Sequence, residues 1–471
     1  MSEKKESSDK DKEKEKEQKS EKDKKKKKSN SNLKIMEWRF NQFLGEKLTY
    51  EQIQEDPDNE GFLVTNIKFS NDGENVAVTD KGGRCIIFKK EYESKKSLPK
   101  LNYYFEFAAQ ERDFDAHKSI EYSEEIKGLE ILPSSNNTKI DVLTAGYRII
   151  KLDRIYQDVI PEFDMSSKIP KFRSSKEEIK SITKKKFCSN YSGEINSLSL
   201  NKENPNNFIS SDEYRVFLWD LNCSGKDLYT PVDIEPKTEF ESDSTEKITK
   251  SIYMDLNPHI FLYGTNTGNV RICDLRTSTD RLKFETSYKD EKNEIASAIS
   301  NSILCVHDIA SSLSDKYSFA TRHYLSINLW DVRKQNEPTS KFLLYEPLIN
   351  KLSYLYQKNY INDKFSLSTD KTGAFLLTGG YNNMFHVIDT EQRLNTQIVI
   401  DDNDEKIMNT NVIRKINSKG SCFYKKDDKS INDINFDKKI QHQAFSPVEN
   451  YSLMVVYNCL YSYSGNIAKK K

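Results

Sequence analysis

The chain has 471 residues, of which 31% are charged and 11% are aromatic, and its formal net charge is zero at pH 7. It has no run of 18 apolar residues, and no apolar stretch follows its basic beginning, so neither a membrane span nor a secretory signal is predicted. Its seven cysteines are scattered without a CxxC pair, which argues against a zinc site and favours a reducing compartment. We therefore expect a cytoplasmic protein, with a nuclear location also open.

Residues 1–34 form a tail rich in Lys and Glu. They hold 14 Lys and 9 Asp or Glu, a net charge of +5, so the remainder of the chain carries −5. The stretch 3–28 has no apolar residue to bury, and we expect the tail to be disordered. Its KKKKK at 24–28 fits a nuclear signal or a weak polyanion contact, although a merely solvated tail is the simpler interpretation.

The stretch IMEWRF at 35–40 has the composition of a strand and stands apart from the repeats that follow. We predict that residues 35–471 form one domain and that this strand closes it, by joining the last repeat beside LMVVYN at 453–458. Such closure would remove an exposed sheet edge.

Seven units of strand, turn, strand, turn, strand then follow one another. Their turns, such as SNDGE and GGYNN, supply the Gly, Asn and Asp that tight turns require. Several units end in Trp-Asp or a related pair, as in FLWDL at 217–221 and NLWDV at 328–332. In YLSINLW, Leu325 and Ile327 alternate with residues that include Trp330, so both strand faces should be covered. The units span 66–88, 128–153, 195–220, 251–274, 306–331, 365–389 and 443–464.

This pattern predicts an all-β fold, a seven-bladed β-propeller of the WD-repeat type. Motifs for chemistry are missing: the chain has no GxSxG and no HExxH, and the carboxylate-rich DDNDE at 401–405 lacks the Gly and final Glu of a calcium loop. We predict no catalytic residue, cofactor, metal or nucleic-acid partner. We therefore favour a protein that binds other proteins over a propeller enzyme.

Carboxylates recur in segments that should form loops. Glu55, Asp56, Asp58 and Glu60 lie in 54–61, further acidic residues lie in 113–125, and SDEYR adds Asp212 and Glu213. If these groups share one rim, they form an acidic surface suited to basic partner segments. Scattered solubilising charge is an equally open alternative.

Several stretches resemble one family when taken in order. They are DKGGR at 80–84, TRHYLS at 321–326, INDKF at 361–365, GGYNNMF at 379–385 and NFDKKIQHQAFSPVEN at 435–450. They resemble the B (fifty-five-kilodalton) regulatory subunit of protein phosphatase 2A, and the similarity runs from about residue 35 to 463.

The resemblance implies a propeller that is not itself an enzyme. It would bind the helical-repeat scaffold (A) subunit, which also holds the catalytic (C) subunit, a Ser/Thr phosphatase. An acidic groove would then steer phosphoprotein substrates with basic segments to the active site. The alternative is a WD-repeat adaptor of another complex, for example a ubiquitin ligase or a trafficking complex.

The resemblance also implies particular site residues. Groove positions fall at Glu60, Lys81, Lys118, Glu194 and Glu213. Glu213 replaces an Asp of the family and Glu194 replaces a His, which makes the expected groove more acidic. A hairpin inserted at about 154–187 would contact the scaffold, with IPKF at its centre. That contact would involve Ile169, Pro170 and Phe172.

Overall fold

Short antiparallel sheets make up most of the described structure. A computed structural model describes residues 36–45, 50–55, 60–92, 98–110, 112–115, 120–133, 139–156, 182–223, 225–236, 246–277, 286–289, 300–311, 315–334, 337–345, 348–349, 352–400, 410–415 and 434–467. The predicted tail at 1–34 lies outside these ranges. Among the described residues, no helix has the length and hydropathy that a membrane span requires.

The strands fall into seven sheets that follow one another along the chain. Before them stands β1 (Met36–Leu44). Blade 1 holds β2 (Val64–Phe69), β3 (Asn75–Asp80), β4 (Arg84–Glu91) and β5 (Lys100–Ala108). The hairpin β6 (Arg112–Asp115) and β7 (Ile120–Ser123) precedes blade 2, which holds β8 (Gly128–Ile131), β9 (Lys139–Ala145), β10 (Ile149–Tyr156) and β11 (Ile182–Cys188). Blade 3 holds β12 (Ser197–Leu200), β13 (Asn207–Ser211), β14 (Arg215–Asp220) and β15 (Tyr229–Asp233).

Blades 4 to 7 repeat this plan. Blade 4 holds β16 (Ile248–Met254), β17 (Asn257–Thr265), β18 (Val270–Asp274) and β19 (Thr286–Tyr288). Blade 5 holds β20 (Asp308–Ser311), β21 (Ser318–Arg322), β22 (Ser326–Asp331) and β23 (Ser340–Leu343). Blade 6 has five strands, β24 (Leu367–Thr369), β25 (Phe375–Gly379), β26 (Met384–Asp389), β27 (Leu394–Val399) and β28 (Thr410–Lys415). Blade 7 holds β29 (Gln443–Phe445), β30 (Tyr451–Val456) and β31 (Cys459–Ile467), with β1 as its fourth strand.

Helices are few and short in the described ranges. They are α1 (Tyr50–Glu55), α2 (Ser300–Leu304), α3 (Leu352–Gln357) and a 3₁₀ turn at Tyr360–Asn362. Both α2 and α3 lie in connections that lead to an innermost strand, and they therefore help to build the loops at one end of the propeller.

The predicted fold is confirmed. Each of the seven predicted units coincides with the first three strands of one blade. The innermost strand of each blade contacts the innermost strand of the next, and β29 contacts both β24 and β2, so the seven sheets close into a ring. Both faces of β22 are buried as predicted: Ile327 is 0% exposed and Trp330 is 1% exposed.

The pairing predicted for the N-terminal strand was wrong in one respect. β1 joins the last blade, but it lies beside β31 and not beside LMVVYN, which belongs to β30. β30 already pairs on one side with β29 and on the other with β31, so it has no free edge. Of the two edge strands, β29 lies innermost, against β24 and β2, and the added strand joins the outer edge of β31. There Ser462 Oγ donates a hydrogen bond to the carbonyl oxygen of Gln42 (3.2 Å).

The chain divides into a large and a small unit. Phe40–Ser464 is the large one and contains the blades. The small one comprises Met1–Arg39 and Gly465–Lys471, of which the structure describes the beginning of β1 and the end of β31.

The hydrophobic core consists of layers between adjacent blades. One layer joins blades 2 and 3 and contains Phe187, Phe208 and Trp219. The indole of Trp219 stacks on the Phe208 ring, with 5.8 Å between centroids and 7° between planes. A second layer, between blades 4 and 5, contains Tyr288 and Trp330. Because each sheet is packed on both sides, each blade is held by its two neighbours.

Ion pairs also join neighbouring blades around a central cavity of about 240 Å³. Lys68 of blade 1 lies 2.9 Å from Glu130 of blade 2. Lys250 of blade 4 lies 3.4 Å from Asp308 of blade 5. These pairs give the innermost strands a second set of contacts besides their apolar faces.

The first prediction concerns the layer between blades 2 and 3. Trp219→Ala removes a fully buried ring whose Nε1 donates to Ser210 Oγ at 2.8 Å. We expect the free energy of unfolding to fall by about 3–5 kcal/mol, the usual cost of deleting a buried aromatic ring. Chemical denaturation measures this loss.

Leu228→Ala in the same blade is the control, because Leu228 is 45% exposed. It should change the free energy by no more than about 0.5 kcal/mol. An equal effect of the two substitutions would contradict the layered core.

Candidate protein-binding face

The innermost strands of the seven blades begin at the same end of the ring. Asn196 Nδ2, just before β12, donates to the carbonyl oxygen of Ile248 at the start of β16 (3.0 Å). Thr249 Oγ1 donates in turn to the carbonyl oxygen of Val306, just before β20 (2.6 Å). In an antiparallel meander the turn between the second and third strands returns to that end. We call this end the upper face; it includes 60–63, 80–84, 124–127, 190–196, 212–214, 246–249, 266–269, 305–307 and 361–364.

The first carboxylate of the upper face is Glu60, which precedes β2. Its side chain forms an ion pair with Lys81, and both side chains are about half exposed, at 53% and 42%. The backbone fixes this pairing, because Lys81 N donates to Leu63 O and Gly82 N to Gly61 O, both at 2.8 Å. Two predicted groove residues are therefore brought together.

The turn that carries Lys81 is held by a buried ion pair. Arg84 donates from its backbone N to Asp80 Oδ1 at 2.9 Å and from Nε to Asp80 Oδ2 at 2.7 Å. Gly83 lies between them with φ = 79°, a conformation that favours glycine. The DKGGR motif thus encodes a rigid turn that presents Lys81 to solvent.

Glu213 lies at the β13–β14 turn of blade 3. Its Oε2 is 2.8 Å from Lys247 Nζ, and its carbonyl oxygen accepts a hydrogen bond from Ile248 N at 2.7 Å. The hydrogen bond with Glu213 raises the pKa of Lys247 above its ordinary value, so the lysine stays charged at neutral pH. Glu213 therefore faces solvent as one half of an ion pair between blades 3 and 4.

Asp212 was predicted to contribute surface charge, and that prediction was wrong. Its side chain is fully buried. Oδ1 accepts hydrogen bonds from the backbone N atoms of Tyr214 (2.8 Å) and Arg215 (2.7 Å), and Oδ2 accepts one from Ser192 N (2.8 Å). These bonds make Asp212 the support of the turn that presents Glu213.

Glu194 also lies on the upper face, before β12. Its carboxylate is 50% exposed and lies 3.7 Å from Lys127 Nζ, which is also 2.8 Å from Glu125. Glu60 and Glu213 thus share one end of the propeller, as the rim hypothesis required, and Glu194, which was predicted from the resemblance, lies at the same end. Each has a lysine partner, however, so this part of the face carries a series of ion pairs and not the uniformly acidic surface that was expected.

Other predicted site residues lie outside the described residues. These are Lys118 and the whole IPKF segment with Ile169, Pro170 and Phe172. Asp56 and Asp58 lie outside them as well. Of the predicted inserted hairpin, the structure describes only the flanking strands: β10 ends at Tyr156 and β11 begins at Ile182. These two strands pair antiparallel, with Arg154 opposite Ile182.

Sequence reasoning missed an exposed aromatic helix. In α3, Leu355 is fully buried, whereas Tyr354 and Tyr356 are 48% and 58% exposed. The helix lies in the connection from β23 to β24, which places it by the upper face. Exposed aromatic side chains beside paired charges are common at protein-binding surfaces. The available signal was the i, i+3 spacing of Leu352 and Leu355, with a tyrosine on either side of Leu355.

These features define a seven-bladed propeller with a polar, partly aromatic upper face suited to binding protein segments. No protein-family model matches the chain. The chain is 28% identical over 491 residues to the serine/threonine-protein phosphatase 2A regulatory subunit phr2AB of Dictyostelium discoideum, a match that covers 91% of this chain and 98% of the relative. The predicted resemblance to regulatory subunits of protein phosphatase 2A is therefore confirmed.

A solved structure is similar in fold. The crystal structure of Raptor from Chaetomium thermophilum matches with a TM-score of 0.52 and 11% sequence identity. The match covers 92% of this chain and 30% of the Raptor chain. At this identity the likeness concerns the fold alone.

The second prediction follows from the lysine partners of the upper face. Replacing Lys81 and Lys247 together by Gln leaves Glu60 and Glu213 uncompensated. We expect a Lys-rich peptide to bind up to roughly fivefold more tightly, the upper range for a solvent-accessible ion pair. Fluorescence anisotropy measures the change, which should shrink as ionic strength rises.

Lys334→Gln with Lys371→Gln is the matched control, because both lysines are exposed and lie in turns at the other end of the ring. Net charge falls equally in the two double variants. Equal gains in peptide affinity in the two double variants would show that the total charge of the protein, and not the upper face, determines binding.

Proposed function

We propose that this propeller is a regulatory subunit of protein phosphatase 2A that recruits phosphoprotein substrates to the phosphatase. The observation that carries the proposal is the similarity to phr2AB, which extends over 91% of this chain and 98% of that relative and is therefore not confined to one repeat. The chain would have no phosphatase activity of its own and would bind the scaffold (A) and catalytic (C) subunits.

The geometry supports this role through the positions of its two ends. Client segments would bind the upper face, where backbone hydrogen bonds fix the loops of Glu60 and Glu213 and Lys127 lies beside Glu194. The insertion between Tyr156 and Ile182 begins and ends at the opposite end of blade 2, because the third strand runs away from the upper face. A subunit bound there would leave the upper face free for clients.

Recruitment of this kind accelerates dephosphorylation without chemistry in the propeller. Holding a client beside the phosphatase makes the encounter intramolecular and raises the effective concentration of the phosphosite. The affinity of each contact can stay modest, as expected for solvent-accessible ion pairs.

The third prediction tests assembly. A tagged full-length chain isolated from cells should bring down a helical-repeat scaffold and a metal-dependent Ser/Thr phosphatase, and the eluate should dephosphorylate a phosphoserine peptide. The chain purified alone should not. Mass spectrometry and phosphate release measure the two results. Recovery of ubiquitin-ligase or trafficking components without phosphatase activity would instead support the adaptor hypothesis.

The fourth prediction separates client capture from assembly. Glu60→Lys with Glu213→Lys reverses two carboxylates of the upper face and should weaken capture of clients with basic segments, more at low salt than at high. Pull-down of clients and of the phosphatase subunits is measured in parallel, and the subunits should be retained.

Glu74→Lys with Glu391→Lys is the control, since both carboxylates are exposed in turns at the opposite end. It changes the net charge by the same amount and should leave client capture intact. Loss of the phosphatase subunits in the first double variant would mean that Glu60 and Glu213 lie at a subunit contact.

A further inference from the structure

A pocket of about 330 Å³ with several charged residues in its lining crosses the upper face from blade 3 to blade 6. Blade 3 contributes Glu213, and blade 4 contributes Lys247 and Asn266. The connection to blade 5 contributes Cys305 and His307, and the connection to blade 6 contributes Lys364. The pocket is therefore bounded by Glu213 with its lysine on one side and by Lys364 on the other.

Lys364 differs from the other lysines of the upper face. Within the described ranges its ammonium group forms no ion pair, and its side chain is exposed. The neighbouring carboxylate does not compensate it, because Asp363 lies 2.5 Å from Lys439 Nζ and accepts a hydrogen bond from the Tyr381 hydroxyl at 3.0 Å. An uncompensated cation therefore stands at the blade 6 end of the pocket.

The imidazole of His307 lies between these ends with unused hydrogen-bonding capacity. The residue is only 8% exposed and lines the pocket, yet its Nδ1 has no hydrogen-bond partner among the described residues. A buried polar atom without a partner is costly, and a ligand can supply the missing contact.

The electrostatic field in this part of the pocket is positive. Burial lowers the pKa of His307 well below its ordinary value, and the charges of Arg322, His323 and Lys364 lower it further. Arg322 is fully buried behind the pocket and donates only to hydroxyl and carbonyl oxygens in the described structure, so no carboxylate there cancels its charge. Burial disfavours any charge, but the neighbouring positive charges of Arg322 and Lys364 disfavour a second cation and attract an anion.

We propose that this pocket binds an acidic group, a carboxylate or a phosphate, carried by the client segment, with Lys364 as its cationic partner and His307 as a hydrogen-bonding wall. This inference rests on the proposed function and specifies its clients: a basic residue would sit near Glu213 and an acidic one near Lys364. Clients would be selected by the order and spacing of opposite charges and not by net positive charge alone.

The test uses the full-length chain and fluorescein-labelled peptides with a fixed Lys-Arg pair. A single Glu, phosphoserine or Gln is moved through the positions on either side of that pair, and binding is measured by anisotropy. At one spacing, Glu or phosphoserine should bind roughly fivefold more tightly than Gln, the upper range for an accessible ion pair. Comparison of Glu with phosphoserine identifies which anion the pocket prefers.

Lys364→Ala should abolish that preference, measured as the ratio of the affinities for the Glu and Gln peptides of the same spacing, and Lys364→Arg should retain it. The matched control is Lys358→Ala, since Lys358 is exposed on the same connection and does not line the pocket. His307→Leu, which removes the ring nitrogens, should also reduce the preference. Thermal unfolding verifies that each variant is folded.

The inference is overturned if no spacing favours an acid, or if the preference persists in Lys364→Ala. Pull-down of the scaffold and catalytic subunits by the same variants tests the proposed function separately from the pocket. Recovery of the phosphatase subunits without an acid preference rejects the pocket alone. Failure of the unmodified chain to recover those subunits rejects the proposed function.

Discussion

The structure depends on the burial of both faces of every blade. A four-stranded antiparallel sheet with apolar side chains on two faces cannot be stable alone, and here each face is covered by the next sheet. Trp219 and Trp330 occupy equivalent positions in two of these layers, each with an aromatic ring stacked upon it. Closure of the ring is what gives the first and last blades the same cover as the others. The loops of the upper face are consequently held at fixed separations, which a set of binding charges requires.

Local sequence patterns predicted the parts of this fold that local interactions determine. Alternation of apolar residues, turn residues and the Trp-Asp strand ends gave seven blades in the right places, because strand and turn formation involve near neighbours in the chain. The position of β1 depended on a different fact, namely which edge of blade 7 was free. β30 pairs with both β29 and β31, so its edges are occupied, and the composition of IMEWRF does not indicate which strand it will join.

The same distinction explains the candidate site. Glu60 and Lys81 were predicted one by one from the resemblance, yet their ion pair depends on the backbone contacts between two loops. Asp212 looked like a surface carboxylate because aspartate usually is one, whereas its lone pairs are used by three backbone N–H groups. Lys247 is 34 residues from Glu213 and comes from the next blade. A charge count along the sequence therefore could not show that the carboxylates of the upper face are compensated.

Compensated charges change how such a face would select partners. A uniformly acidic rim attracts any cation at long range, and salt weakens that attraction strongly. Ion pairs such as Glu213–Lys247 are nearly neutral from a distance, and they must be rearranged before either partner binds a client. Discrimination then arises at contact, from whether the client supplies a cation where the lysine was and an anion where the lysine can go. An upper face of this kind would bind clients more slowly, but it would be more sensitive to the arrangement of their charges. Lys364 needs no rearrangement, so a client with the right arrangement would begin to bind there.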